Sequence, residues 1–156
     1  MSVTVLGPGE TFNGRVIDVT SRSRSLGREL SPFFLGPVKL YGGMEARNVE
    51  NAWQFCKVYP RFAKDNEPTD AYWEWAKKGW NDPIAHRYPM GRLSIPLYSL
   101  WDGRKLDYIQ ARKEIYVPLY IEAARKTDAY AMLEALTDSE DIGIFDFDSY
   151  NVDARG

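Results

Sequence analysis

At 156 residues and a net charge of −2, the chain is long enough to bury a hydrophobic core and too weakly charged for a basic nucleic-acid surface. Hydrophobic residues make up 44 % and aromatic residues 14 %, which excludes a disordered chain. The single cysteine, Cys56, and single histidine, His86, exclude an internal disulfide and leave no Cys/His cluster for structural zinc.

The first 14 residues read as a loose lead-in with neither the basic start nor the apolar run of a signal peptide. No stretch approaches the roughly 18 apolar residues of a membrane span. A cytoplasmic protein with no membrane partner is therefore expected. RVIDVT (15–20) alternates and is β-branched, so it predicts a strand. A polar, basic loop follows at 21–29. Pro32 and Pro37 hold the aromatic segment 30–38 extended, and VKLYGG (38–43) predicts a second strand closed by a Gly-Gly turn. Asn48 caps a helix expected to run to about Tyr59, where Pro60 stops it. Thr69 to Trp80 predicts a second helix, with Tyr72, Trp73, Ala76 and Trp80 on a 3.6-residue period. Residues 81–104 are proline-rich and read as a long ordered loop. A third helix is expected from about Lys105 to Lys126, kinked or broken at Pro118, and a fourth over roughly 128–137. IGIFDFDSY (142–150) predicts a final strand ending in carboxylates. Together these elements predict an α+β fold: one mainly helical domain over residues 1–156 with a small β-sheet.

VENAWQFCK (49–57) is the most informative segment. On a helix, Glu50, Gln54 and Lys57 share one stripe, and Val49, Ala52, Trp53 and Cys56 share an apolar stripe beside it. That placement suits a cleft wall, although a solvated Glu-Lys face is the commoner fate of such a pattern. Arg112 falls on a stripe with Tyr108, Ile115 and Leu119, so its guanidinium needs an anion, either an internal carboxylate or a bound phosphate. Arg28 abuts the aromatic segment and is the best phosphate candidate in the basic loop. Asp146 and Asp148 alternate with Phe145 and Phe147, which puts both carboxylates on one face of the strand.

The order of these blocks resembles the NADAR/YbiA-like family. That family carries a helix motif Glu-His-x-x-Gln-x-x-Lys after an aromatic Leu/Phe-Ser-Asn-Phe segment. Glu50, Gln54 and Lys57 match the helix motif, and Leu30, Ser31, Phe33 and Phe34 match the upstream segment. Asn51 stands where the family has histidine, and Pro32 where it has asparagine. Asp107, Tyr108, Arg112 and Tyr116 resemble an Asp-Trp-x-x-x-Lys…Met block, and Asp148 matches the start of a C-terminal Asp-x-x-Trp-Gly that is otherwise missing.

The resemblance implies a NADAR/YbiA-like fold and hydrolysis of N-glycosidic bonds in ribosylamino-pyrimidine phosphates or ADP-ribosylated guanine. The substrate would be free or carried on a nucleic acid, with no cofactor and no metal. Cleaving such a bond builds positive charge at the anomeric carbon, so a carboxylate must face the sugar or the attacking water. Glu50 and Asp148 are the expected catalytic pair. Lys57, Arg112 and Arg28 would hold phosphate, Gln54 and Asn51 the base or ribose, and Phe33, Phe34 and Tyr108 would stack on the base. Two other classes stay open: a catalytically inactive module that binds ADP-ribose or another nucleotide, and an interaction protein with an aromatic partner surface.

Overall fold

A computed structural model describes residues 2–147. The class is α+β, with strand pairing among the described residues spread over small two- and three-stranded sheets. The chain folds as two compact units, one made of residues 2–34 with 124–147 and the other of residues 35–123.

The first unit is built on a three-stranded parallel sheet. Strands β1 (Val3–Leu6) and β2 (Arg15–Asp18) flank β10 (Ile142–Phe145), with Val3 opposite Ile142 and Arg15 opposite that same residue on the other edge. The N-terminal segment is thus a strand and not the expected lead-in. Its alternation in Val3, Thr4, Val5 and Leu6 was readable, but the flanking glycines and proline masked it. Ser2 N–H donates to Asp141 Oδ1 at 2.7 Å, and Arg15 Nε pairs with Glu140 Oε1 at 3.0 Å, so both outer strands are fastened at the start of β10. A 3-10 turn (Leu26–Leu30) packs on helix α5 (Asp128–Thr137), which Thr127 caps through its side chain. Gly27 lies so close to β2 that a Cβ there would sit 2.1 Å from the Asp18 carbonyl oxygen.

The second unit is organised around a short helix, α1 (Val49–Gln54), with Asn48 as its cap: Asn48 Oδ1 accepts Asn51 N–H at 2.7 Å. The helix ends at Gln54, well before Tyr59. Lys57–Val58 turns into strand β5 and pairs with β8 (Tyr98–Trp101), because Val58 and Tyr59 suit a pleated, buried surface and the ladder to Ser99 and Tyr98 is available. Strand β8 continues through the Asp102–Gly103 turn, both residues at positive φ, into β9 (Arg104–Leu106). That Asp-Gly pair between two strand-forming runs is a strong hairpin signal, and it lies inside the segment read as loop and helix start. The hairpin of β3 (Val38–Lys39) and β4 (Glu45–Ala46) and helix α2 (Asp70–Trp80), entered from the hairpin of β6 (Ala63–Lys64) and β7 (Glu67–Pro68), complete the wall around α1. Thr69 is the α2 cap residue by position, but its hydroxyl donates to the Phe62 carbonyl instead of accepting from the helix. Val49, Ala52, Cys56, Tyr72, Ala76, Trp80, Leu100, Leu106 and Ile115 form the core.

The expected long third helix is interrupted. Asp107 forms a capping box with Gln110 at the start of α3 (Tyr108–Ala111), a π-helical turn covers Arg112–Tyr116, and α4 (Val117–Ala124) follows. The π turn lies directly before Pro118, which has no N–H and whose ring would collide with an α-helical carbonyl one turn back. Widening that turn, with Val117 N–H reaching Arg112 C=O, accommodates the proline without breaking the rod. The inward stripe becomes Ala111, Ile115 and Leu119, while Tyr108 is 58 % exposed and Arg112 half-buried. The core-facing position expected for Arg112 beside Tyr108 is therefore corrected by the extra residue of this turn.

Candidate functional site

Glu50 and Gln54 are 6 % and 8 % exposed, so their stripe is not a solvated face. Gln54 Nε2 donates to Glu50 Oε1 at 2.9 Å, and Lys57 Nζ donates to Gln54 Oε1 at 3.0 Å. The chemistry fixes the direction of this chain. A lysine ammonium only donates and a carboxylate only accepts, so the Gln54 carbonyl must face Lys57 and its NH2 must face Glu50. Lys57 reaches Gln54 even though it sits on β5, because the turn at 55–56 folds the strand start back beside the helix end. Burial pushes the Lys57 ammonium below the ordinary lysine range, and the neighbouring Cys56 and Glu50 act in the opposite sense.

The π turn and α3 bring the second block to the same place. Trp53 lies edge-on to Tyr108 at 6.0 Å and to Tyr116 at 5.5 Å. Lys57 Nζ sits 4.8 Å from the Trp53 ring centre. Arg112 Nη1 reaches the Tyr108 hydroxyl at 3.4 Å, and its guanidinium lies 5.7 Å from the Tyr116 ring. Two cations thus stand against three aromatic rings beside a buried carboxylate, an arrangement suited to a planar, anionic ligand. Trp53 and Tyr116 were not among the residues expected to bind. Tyr108, Arg112, Tyr116 and Tyr120 recur every four residues, and that spacing was the available signal; Tyr116 and Tyr120 stack at 6.0 Å.

Asn51, expected to hold base or ribose, is wholly buried. Its Nδ2 donates to the carbonyls of Asp82 (3.1 Å) and Ile84 (2.8 Å), and its Oδ1 accepts His86 N–H at 2.8 Å. The amide is spent fastening the 82–86 segment to α1. That segment also holds the only histidine, whose Nε2 lies 2.7 Å from Asp82 Oδ2. The histidine bond holds the Asp82 carboxyl below its ordinary range.

Arg28, Phe33 and Phe34 belong to the other unit. There the Arg28 guanidinium lies 4.4 Å from the Phe34 ring centre, and Phe34 is exposed. Asp148, the second expected carboxylate, lies outside the described residues. Cys56 is fully buried, its Sγ donates to the Trp53 carbonyl, and burial pushes its thiol up to about 12. It is a packing residue with no thiolate to offer at neutral pH. Among the described residues no group of three or more His, Cys, Asp or Glu side chains is placed to hold a metal ion, and no helix is long and apolar enough to cross a membrane.

The chain belongs to a family of unknown function (DUF6939), whose model matches residues 9–155. No curated protein and no solved structure matches it.

Proposed function

We propose that the second unit carries the active site of a NADAR/YbiA-like N-glycosidase acting on a phosphorylated ribosyl or ADP-ribosyl nucleobase. The observation that supports this reading is the meeting of two sequence blocks. The buried Glu50–Gln54–Lys57 chain stands beside the Trp53, Tyr108, Arg112 and Tyr116 cluster. In this reading the exposed Tyr108 ring stacks on the base, and Arg112 and Lys57 attract phosphate. Glu50 faces the sugar. The bond from the anomeric carbon to the base nitrogen breaks, its electron pair leaving with the base. A water oxygen bonds to the anomeric carbon, Glu50 takes the proton that water releases, and that proton passes to the departing base nitrogen, which restores the carboxylate. Gln54 positions the carboxylate by holding one of its oxygens.

A second reading is a nucleotide-binding module without turnover. Asn51 favours it, because that amide is committed to scaffolding and supplies no proton. Incubation with ADP-ribosylated guanine nucleotide and with a ribosylamino-pyrimidine phosphate, with release of free base followed by chromatography, tests the first reading. Base release by the wild type that is lost in Glu50→Gln supports it. Stabilisation by ADP-ribose with no base release from either substrate refutes it and leaves the binding module.

A further inference from the structure

Asn13 is one of six asparagines in the chain and stands alone among them in being followed by glycine. Wherever asparagine occurs, the backbone nitrogen of the next residue can close a five-membered ring on the side-chain carboxamide. Two things ordinarily prevent this: a hydrogen bond that holds that N–H, and a side chain on the next residue that crowds the approach. Neither operates at Asn13–Gly14. Both residues are exposed, and among the described residues no hydrogen bond holds the Asn13 carboxamide. Val19 N–H donates to the Phe145 carbonyl at 3.1 Å, and N–H groups alternate in direction along a strand. Those of Arg15 and Ile17 therefore face β10, while that of Gly14 faces the outer side of β2, where no described strand pairs.

The other described asparagines are protected. Asn48 and Asn51 are buried, and the nitrogens that follow them are tied. Val49 N–H donates to the Leu35 carbonyl at 2.8 Å, and Ala52 N–H donates to that of Asn48 at 3.1 Å. After Asn81, Asp82 N–H donates to the Gly79 carbonyl at 3.2 Å. After Asn66, Glu67 brings a side chain and pairs with Lys64 in the β6–β7 ladder. Asn151 lies outside the described residues.

We propose that Asn13 is a site of self-modification, which closes a cyclic imide with Gly14 and opens to isoaspartate or aspartate. Gly14 N gives its proton to hydroxide and bonds to Asn13 Cγ. The carboxamide nitrogen takes a proton and leaves as ammonia, which completes the imide. Water then adds to one imide carbonyl. Breaking the bond from Gly14 N to Cγ gives aspartate, and breaking the bond from Gly14 N to the backbone carbonyl carbon gives isoaspartate, whose main chain runs through Cβ. Either product carries a negative charge where the amide was neutral. The site adjoins the fastening of the first unit's sheet. Arg15 pairs with Glu140 and opens the ladder opposite Ile142. A carboxylate at position 13 competes with Glu140 for Arg15, and isoaspartate adds a main-chain carbon just ahead of the first ladder pair. The modified chain therefore holds β2 less firmly.

The test is incubation of the folded full chain at mildly alkaline and at mildly acidic pH, followed by digestion and peptide mass spectrometry. The mass gained when NH2 is replaced by OH is expected at residue 13 and at no other described asparagine, and faster at the higher pH. An isoaspartyl carboxyl methyltransferase supplied with S-adenosylmethionine should methylate that peptide, and hydroxylamine, which cuts at the imide, should cleave between residues 13 and 14. Asn13→Gln should lose all three signals, because its ring would have six members and closes more slowly. Glycine stays at 14 in the test, since its φ of +148° and the Phe12 ring, 3.0 Å from where a Cβ would sit, would strain a replacement. An unchanged residue 13 would overturn the proposal, and so would equal conversion at Asn66 or Asn81. Hydrogen exchange of the isoaspartyl form should show residues 15–18 losing protection while the second unit keeps it. Protection equal to that of the unmodified chain would overturn the effect on the sheet. None of these outcomes depends on whether the second unit cleaves a glycosidic bond.

Discussion

Asn51→Ala separates a scaffold from a ligand contact by a measurable margin. The substitution deletes the hydrogen bonds to Asp82 C=O, Ile84 C=O and His86 N–H and leaves the Asn48 cap to the backbone N–H of residue 51 in place. A side-chain hydrogen bond contributes about 0.5–1.5 kcal/mol net, so losing these bonds costs roughly 1.5–4.5 kcal/mol. Asp82 is half-buried and Ile84 exposed, so water can reach part of what is released, and about 2–3 kcal/mol is expected. In a chain of this size that corresponds to a melting temperature lower by roughly 4–12 °C. Asn51→Asp should cost at least as much. It keeps an acceptor for His86 N–H but turns a carboxylate toward two carbonyl oxygens. Urea unfolding followed by tryptophan fluorescence gives the free energy, and amide hydrogen exchange should show residues 82–86 losing protection first. A loss below about 0.5 kcal/mol with unchanged exchange would refute the scaffold role, since even one broken bond should exceed it. Asn51→His would restore the resembled family's motif by letter. It should nevertheless destabilise the chain as Asn51→Ala does, because an imidazole cannot reproduce the two donors and the acceptor.

Three further outcomes are expected. Glu50→Gln should leave nucleotide affinity within about two-fold and lower the base-release rate on the order of 100- to 1,000-fold, the usual loss for one transition-state electrostatic contact. Comparable rates for the two proteins would remove Glu50 from the chemistry. Arg112→Met should weaken ADP-ribose binding about ten-fold by calorimetry, since it removes the guanidinium that stands beside the Tyr108 hydroxyl and the Tyr116 ring. Unchanged affinity would exclude a phosphate contact there. Cys56 should resist a thiol reagent at pH 8 until the chain unfolds. Its folded pKa of about 12 lies above the free value of 9.0, so its contribution is fully present below about pH 9 and is lost as pH rises toward 12. Cys56→Ala should therefore remove about 1.4 kcal/mol per pH unit from the alkaline slope of the stability curve, leaving the share of the buried tyrosines.

The parts of the fold that were legible in sequence are those set by local chemistry. Helix α2 runs to Trp80 as its period predicts, α5 covers 128–137, and β2 and β10 begin at Arg15 and Ile142 as read. What was not legible depends on partners distant in sequence. β1 exists because β10 is there to pair with it, 139 residues away at Val3 and Ile142. β5 takes Lys57 and Val58 from the expected helix because β8 offers a ladder. The π turn is a compromise between the helix and Pro118 that a 3.6-residue period cannot express. In the candidate site, Glu50, Gln54 and Lys57 were found as neighbours on an assumed long helix. They are neighbours on a short one, joined by a side-chain relay instead of by helical pitch. Letter-matching to a motif could not show where the Asn51 amide's hydrogen bonds go.

The strand order of the first unit also has a consequence for biosynthesis. β1 and β2 pair only with β10 in that sheet, and β10 is the last strand of the chain among the described residues. On a ribosome both emerge early and stay without partners until residues 142–145 leave the exit tunnel. Residues 35–123 are contiguous and can collapse in the meantime. The nascent chain therefore carries two open parallel edges while residues 19–141 are being made, a state exposed to strand capture by other chains. Arg15, Asp18 and Thr4, polar side chains on those edges, keep the waiting strands from being continuous apolar templates. A stalled or prematurely terminated product that ends before Ile142 would forfeit the whole sheet, while the unit around α1 would retain every segment it is built from.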